Sequence, residues 1–168
     1  MRARMTSLLA SVGLLCAIPA VAEPALIEKQ GLSLEVARLM VDGCDKKAVA
    51  EGWAPVSIAI IDDGGNLLAF VRQDGAATGT IAFSQLKAGT AASLGLGSGE
   101  LGDKFEFSDP NRPVGMAYVD GVTVTPGGLP IYSASRQLLG GIGTSGASVD
   151  QDVACSQAGI EAARRLLE

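Results

Sequence analysis

Glycines dominate one short run near the C-terminus of the chain. Gly140–Ala147 holds four glycines with Thr144 and Ser145 between them, and an alanine-rich segment with a helical pattern follows. Glycine lets a backbone bend sharply or approach another group closely, and a helix that starts here presents unpaired N–H groups. The run therefore predicts close contact with a ligand or with another backbone segment. A dinucleotide site does not match, because its fingerprint opens a βαβ unit and needs an acidic residue about 20 positions later.

The first 22 residues match a secretory signal peptide. Two arginines precede an apolar core from Leu8 to Ile18, and Ala20-Val21-Ala22 supplies small residues before Glu23. The apolar core is shorter than the roughly 20 residues that cross a membrane, so we expect cleavage, with an uncleaved anchor as the alternative. We expect export to the periplasm or the medium, a flexible lead-in over 23–32 and a single domain over 33–168.

Charge and residue types narrow the function classes. The chain has a net charge of −5, which argues against nucleic acid or an anionic membrane as a general partner. It has no histidine, so the most common general base, zinc ligand and haem ligand is missing. No nucleophile–base pair is visible, which favours a non-catalytic protein. The alternative is an enzyme that acts through a bound cofactor, or through Lys, Asp or Tyr as acid or base.

Cys44 and Cys155 are the two cysteines that remain when the signal peptide is removed. Both lie on the apolar stripes of predicted helices, and an oxidising compartment allows them a single pairing. We predict a disulfide that joins the first helix to the last. The alternative is two small buried side chains too far apart to bridge.

The hydrophobic pattern predicts the order α-ββ-α-βββ-α. The predicted helices span 33–51, 78–94 and 150–167, and the predicted strands span 56–61, 67–72, 116–125, 129–133 and 137–144. The first helix has an apolar stripe that comprises Val36, Ala37, Met40, Val41, Cys44 and Ala48. On the second helix, one apolar side comprises Ala82, Phe83, Leu86, Thr90 and Leu94. This order implies an α/β (α+β) fold, with helices packed on a five-stranded antiparallel sheet.

The turn of the first hairpin has the sequence Asp62-Asp63-Gly64-Gly65-Asn66. Paired aspartates can act together in acid–base chemistry, but directly before two glycines they are typical turn residues. We therefore interpret Asp62 and Asp63 as turn formers.

Several motifs, taken in order, resemble the GlcG/HbpS family. They are Ile60–Leu67 with Arg72, Lys87–Ala91, Gly127–Ile131, Gly141–Gly146, and Asp150–Cys155 with Ala158-Gly159. The resemblance covers about Ser33 to Ala163. It implies a profilin-like or PAS-like sandwich that assembles into a homo-oligomer, often an octamer. Because HbpS and the C-terminal domain of PduO-type proteins are associated with haem, it also implies haem or another tetrapyrrole as ligand.

The absence of histidine restricts how a haem could be held. An axial ligand would have to be Tyr, Met, Lys, Cys or Thr, and Met116, Tyr118 and Tyr132 are candidates by residue type. At predicted strand positions each of them is more often a core or sheet-surface residue than a ligand. The resemblance and the residues together predict an exported, non-catalytic ligand-binding protein. The alternatives are an enzyme that degrades haem or processes a small organic acid, and an oligomeric assembly protein.

Seven residues are candidate ligand contacts, and each has a structural alternative. They are Lys87, Gly127, Gly128, Pro130, Thr144, Ser145 and Gly146. Lys87 could bind a propionate or phosphate. Alternatively, it could be a lysine that extends its ammonium group to solvent, or it could form an ion pair between subunits with an acid such as Asp150.

The glycine motifs have two interpretations each. The segment 127–131 is either a rigid lip over a pocket or a strand entry at a sheet edge. Thr144 and Ser145 could help the last helix to bind an anion. Alternatively, Ser145 or Ser148 could simply cap that helix, while the glycines allow the strands to pack closely. If the chain forms oligomers, the helix that carries Lys87 or the lip is expected to contribute contacts.

Overall fold

The computed structural model describes residues 26, 28–104 and 119–168. The helices are α1 (Leu34–Ala50), α2 (Gly79–Leu94), α3 (Ser98–Lys104) and α4 (Val149–Ala163), and the strands are β1 (Ser57–Asp62), β2 (Leu67–Arg72), β3 (Gly128–Tyr132) and β4 (Leu138–Ser145). The proposed signal peptide lies outside the described residues. Within the described part, no helix is long and apolar enough to span a membrane.

The strands form one antiparallel sheet in the order β2-β1-β4-β3. The predicted count of five strands is wrong, because residues 119–125 of the predicted strand 116–125 form no strand, while 116–118 are outside the described residues. Here the backbone bonds to side chains: Thr123 N–H donates to Thr90 Oγ1 at 2.9 Å, and Thr125 N–H donates to Thr123 Oγ1 at 3.2 Å. These local hydrogen bonds replace a strand ladder.

Helices cover both faces of the sheet. On one face α1 and α4 pack over Ile58, Ile60 and Ile142, while α2 covers Ala59 and Ile61 on the other. The predicted stripe of α1 is buried as expected, because its apolar residues recur at helical spacing. Ser33 Oγ begins this helix by accepting a hydrogen bond from Val36 N–H at 3.2 Å.

The side of α2 that carries its larger apolar residues is mostly not the buried side, although Thr90 of that side is buried. Phe83 is 53% exposed, and α2 buries smaller side chains together with Lys87. The cause lies in β4, since a Cβ added to Gly143 would lie 2.2 Å from Ser84 O, and one added to Gly141 would lie 2.3 Å from Ala88 O. Glycines in the strand let the helix backbone approach the sheet, which leaves no space for large side chains between them.

Helices α1 and α4 also pack closely. A Cβ at Gly43 would lie 2.5 Å from Ala162 Cβ, and one at Gly159 would lie 2.6 Å from Met40 O. At this contact Cys44 and Cys155 form a disulfide, and their Cα atoms are 4.5 Å apart. The bond joins the first helix to the last, in the pairing predicted from the sequence.

Candidate functional site

Lys87 is the most deeply buried charged residue of the described chain. Its side chain leaves α2 and is 2% exposed. Nζ donates to Asp152 Oδ2 at 2.8 Å and to Thr144 O at 2.9 Å. Asp152 belongs to the first turn of α4, so the ion pair connects helices on opposite faces of the sheet. The prediction of an ion pair between subunits with an acid such as Asp150 is therefore wrong. Asp150 is exposed, and Lys87 pairs with Asp152 of its own chain.

Gly127 provides the space that this ion pair occupies. It has a φ of +120°, and an added Cβ would lie 2.9 Å from Lys87 Nζ and 2.7 Å from Thr144 O. Its carbonyl accepts hydrogen bonds from Thr144 N–H at 3.1 Å and from Ser156 Oγ at 2.7 Å. Any side chain at this position would therefore displace the lysine or its partners.

Hydroxyl groups extend the network towards the disulfide. Ser156 gives its proton to Gly127 O, so Thr144 donates in the 2.9 Å hydrogen bond between the two hydroxyls. Thr144 Oγ1 also lies 3.3 Å from Cys44 Sγ. We call Lys87, Gly127, Thr144, Asp152 and Ser156 the polar junction. Across the described residues, no buried polar side-chain atom lacks a hydrogen-bond partner.

The start of α4 is occupied by groups of the chain itself. Ser148 and Gln151 form a capping box, in which Gln151 Oε1 accepts from Ser148 N–H at 3.1 Å. Asp152 Oδ1 accepts from Ala147 N–H at 3.1 Å. Burial raises the pKa of the Asp152 carboxyl, while Lys87 and the backbone N–H groups oppose this rise. The helix start thus matches the capping interpretation, with an internal carboxylate where an external anion would bind.

The structure brings some of the seven candidate residues together. Lys87, Gly127 and Thr144 meet in the polar junction, and Gly128 lies beside them with its N–H donating to Ser98 Oγ at 2.9 Å. Of the remaining three, Pro130 lies in strand β3, Ser145 at the buried end of β4, and Gly146 in the exposed position that follows it, where its backbone N–H helps to lower the pKa of Asp152. Their role as ligand contacts remains a prediction.

Two members of the junction were missed by sequence reasoning. Asp152 stands in the Asp150-Gln151-Asp152 motif, but 65 residues separate it from Lys87. Ser156 lies within α4, where nothing local marks it as a donor to Gly127. The available signal was the helical spacing of Asp152 and Ser156, which places both on one face of α4.

An open groove lies on a different part of the molecule. It has a volume of about 480 Å³ and is lined by Asp45, Ala48, Val49, Trp53, Pro55, Val71, Arg72, Gln73 and Asp74. Gln73 fixes one wall, because it accepts from Val56 N–H and donates to Asp45 Oδ1, each at 2.8 Å. We call this cavity the Trp53 groove, after the only tryptophan of the chain. It combines an aromatic ring, aliphatic side chains and a cationic side chain.

The described candidates for axial haem ligands have other partners. Tyr132 donates its hydroxyl to Gly95 O at 2.8 Å, Lys87 is paired with Asp152, and the two cysteines are joined. Met116 and Tyr118 lie outside the described residues. No group of three or more Cys, Asp or Glu side chains in the described ranges is arranged to hold a metal ion. Tyr132, Lys87, Cys44 and Cys155 are therefore engaged within the described structure and do not present a side chain arranged to hold a haem iron.

Comparison with known proteins gives the same family by sequence and by fold. Protein GlcG of Escherichia coli K12 is 35% identical over 116 residues, which are 68% of this chain and 81% of GlcG. The crystal structure of protein ORFY of Klebsiella pneumoniae superposes with a TM-score of 0.78 at 27% identity, covering 85% of this chain and 97% of ORFY. The crystal structure of a PduOC–haem complex superposes with a TM-score of 0.70 at 25% identity, covering 79% of this chain and 95% of PduOC. A family model described as haem-degrading protein HbpS-like matches residues 32–161. The resemblance in the ordered motifs is thereby confirmed, and the chain belongs to the HbpS-like family.

Proposed function

We propose that this protein is an exported, non-catalytic tetrapyrrole-binding protein, with haem as the first ligand to test. The observation that carries the proposal is the likeness to the PduOC–haem complex, of which this chain covers 95%. Membership of the HbpS-like family supports it.

The Trp53 groove has the size and lining that a macrocycle needs. Its volume of about 480 Å³ lies within the roughly 300–1,000 Å³ of small-molecule sites. The indole of Trp53, over which Lys47 Nζ lies 5.8 Å from the ring centroid, provides an aromatic wall, and Val49 and Val71 add aliphatic surface. Arg72 is exposed and can pair with a propionate of the ligand. Asp45 and Asp74 disfavour a second carboxylate, so we expect one propionate to remain in solvent.

Iron contributes little to this mode of binding. Haem proteins hold iron through His, Cys, Met or Tyr, and none of these residues lines the groove. The affinity then depends on contact with the ring and on Arg72. We therefore expect metal-free protoporphyrin IX to bind about as tightly as haemin.

Parallel absorption titrations of the purified protein test the proposal. Haemin and protoporphyrin IX should each saturate near one per chain, with dissociation constants within about threefold of each other. Trp53→Ala should weaken both by at least tenfold, equivalent to about 1.4 kcal/mol. Arg72→Ala should weaken both as well, whereas Arg165→Ala, which removes an exposed arginine outside the groove, should change neither.

Other outcomes would identify the alternatives. Haemin binding that is at least a hundredfold tighter than protoporphyrin binding and unaffected by Trp53→Ala would overturn the groove in favour of axial ligation. Loss of the haem spectrum on addition of a reductant would support the haem-degrading activity named in the family description. No binding of either macrocycle would favour an oligomeric assembly role.

Export is the remaining element of the proposal. Its support is the signal-like segment over 1–22 and the pairing of Cys44 with Cys155, a bond typical of oxidising compartments. Intact-mass analysis of protein from a periplasmic or culture fraction should give a chain that begins at Glu23. Recovery of the full chain in the membrane fraction would overturn this element.

A further inference from the structure

The Trp53 groove carries two acidic side chains and one cationic side chain. Of the described residues that line it, Asp45 lies on α1, Arg72 ends β2, and Asp74 lies in the turn that follows. None of these three forms an ion pair with another described residue. The nearby ammonium group of Lys47 is already paired with Glu51 at 2.8 Å. The groove therefore offers one cation to an acidic ligand, while two carboxylates oppose any further negative charge.

Gln73 fixes the position of the Asp45 carboxylate in this groove. Its side-chain amide donates from Nε2 to Asp45 Oδ1 and accepts at Oε1 from Val56 N–H, each at 2.8 Å. The backbone N–H of Gln73 also donates to Val56 O at 3.0 Å. Because both ends of the amide are occupied, Gln73 cannot turn without breaking a hydrogen bond. The Asp45 carboxylate is therefore held at the groove wall when a ligand approaches.

Tetrapyrroles differ in the number and placement of their carboxylates. Protoporphyrin IX carries two propionates on neighbouring pyrroles, whereas coproporphyrin III carries one propionate on each of its four pyrroles. A ring of the first kind can place one propionate at Arg72 and keep the other in solvent. A ring of the second kind brings further propionates towards Asp45 and Asp74, whichever edge enters the groove. Such contact between like charges weakens binding.

We propose that Asp45 and Asp74 make the Trp53 groove selective for macrocycles whose carboxylates lie along one edge, and that they reject macrocycles with a carboxylate on every pyrrole. This inference rests on the proposed function, because it names which tetrapyrroles the same groove accepts. Gln73 is a positioning residue that acts through Asp45. The selectivity comes from repulsion, since Trp53 and the aliphatic wall contact every ring of this class in the same way.

Absorption titrations of the purified protein with protoporphyrin IX and coproporphyrin III test this selectivity at low ionic strength. We expect coproporphyrin III to bind more weakly by about tenfold or more. Asp45→Asn and Asp74→Asn should each tighten its binding by about threefold or more, and should change protoporphyrin IX binding by less than about twofold, because asparagine keeps the shape and removes the charge. Asp103→Asn removes an exposed acid of α3 outside the groove and should change neither.

Salt and Gln73 variants show whether charge causes the selectivity. In the natural chain, the dissociation constant of coproporphyrin III divided by that of protoporphyrin IX should fall as sodium chloride rises to about 0.5 M, since salt screens exposed charges. In D45N/D74N this ratio should be lower from the start and nearly independent of salt. Gln73→Met should lower the ratio because Asp45 loses its anchor, whereas Q73M/D45N should have the same ratio as D45N. Circular dichroism would verify the fold of each variant.

The outcomes separate this inference from the proposed function. If neither porphyrin binds, or if Trp53→Ala leaves protoporphyrin IX binding unchanged, the proposed groove fails and the inference fails with it. If protoporphyrin IX binds and depends on Trp53 while coproporphyrin III binds as tightly, the selectivity alone is overturned. A ratio that neither D45N/D74N nor salt lowers overturns it as well, because the selectivity would then arise from ring shape. A ratio unchanged in Gln73→Met would overturn the positioning role of Gln73.

Discussion

The polar junction and the Trp53 groove differ in how their polar groups are used. In the junction a lysine, an aspartate and two hydroxyls are buried, and each bonds to another part of the same chain. In the Trp53 groove, Arg72 is exposed and forms no ion pair with another described residue. The residues that look most like a binding motif in the sequence are therefore those whose interactions are already complete.

This difference separates the stability of the fold from its recognition surfaces. A buried ion pair that loses one partner leaves an uncompensated charge, which is costly. An exposed residue such as Arg72 can be changed with little effect on folding, since it forms no buried contact and even exposed ion pairs are worth only about 0–1 kcal/mol. Substitutions in the two regions should thus give opposite results, with loss of stability in one and loss of binding in the other.

The largest effect is expected at the disulfide beside the junction. Cys44 and Cys155 are 111 residues apart in the chain, and closing a loop of this order stabilises by about 4.7 kcal/mol in the chain-entropy model. Cys44→Ala/Cys155→Ala should lower the free energy of unfolding by an amount of this order in chemical denaturation. A reducing agent should destabilise the natural chain and leave the double variant unchanged. Recovery of both cysteines as free thiols after denaturation would contradict the bond.

Removing Lys87 should have an effect nearly as large. Lys87→Met leaves the Asp152 carboxylate buried without its cation and Thr144 O without its donor, at an expected cost of about 3–5 kcal/mol near pH 7. Lys29→Met breaks an exposed ion pair with Asp63 and is the matched control, with an expected cost of about 0–1 kcal/mol. Equal costs for the two variants would show that burial does not distinguish these pairs.

The pH dependence of the Lys87→Met cost identifies its cause. Burial raises the pKa of Asp152 above 3.8 in the natural chain, and loss of Lys87 removes an influence that lowers it. The folded variant therefore keeps its proton to higher pH than the folded natural chain. By linkage, the cost of the substitution should grow as the pH rises above 3.8 and shrink as the pH falls. The double variant K87M/D152N should lack this dependence and recover part of the stability.

The sequence patterns predicted the helices and strands of this fold better than the packing contacts between them. The stripe of α1 and the hairpin β1–β2 follow from local periodicity and turn residues, and both are present. The buried side of α2 could not be predicted from residue size, because the glycines that it faces lie in β4, about 55 residues away in the chain. Asp152 was missed as the partner of Lys87 for the same reason, since nothing local relates residues that the sheet alone brings together. The Trp53 groove likewise joins α1 to the end of β2.

The close approach of α2 to β4 should make one glycine sensitive to a single methyl group. A Cβ at Gly143 would lie 2.2 Å from Ser84 O and 2.4 Å from Ala88 N, both backbone atoms that cannot move alone. Gly143→Ala should therefore cost about 1–3 kcal/mol or more in chemical denaturation. Gly31→Ala is the control, because no atom lies within 4 Å of its added Cβ. A neutral Gly143→Ala would mean that the helix can shift away from the sheet.

The smallest expected effect is at Asp62, in the turn that leads into β2. Its Oδ1 accepts hydrogen bonds from Gly64 N–H at 2.9 Å and from Asn66 N–H at 2.8 Å. These bonds lower the pKa of Asp62 below 3.8, and the bond from Asn66 N–H contributes most. The pKa shift of Asp62 is therefore opposite in direction to that of Asp152. The folded chain binds this proton less tightly than the unfolded chain, so the stability that Asp62 contributes is present above pH 3.8 and is lost as the pH falls through the folded pKa.

Asp62→Asn should flatten this acid limb while keeping an oxygen that can accept from the turn. Denaturation curves from about pH 2 to pH 5 would measure the change, with Asp74→Asn as the control, since it removes an exposed turn carboxylate that lacks these backbone contacts. A natural chain that gains stability relative to Asp62→Asn as the pH falls would contradict the assignment. That result would mean that the backbone hydrogen bonds at the exposed turn do not outweigh the effect of burial on the pKa of Asp62, in contrast to their expected effect.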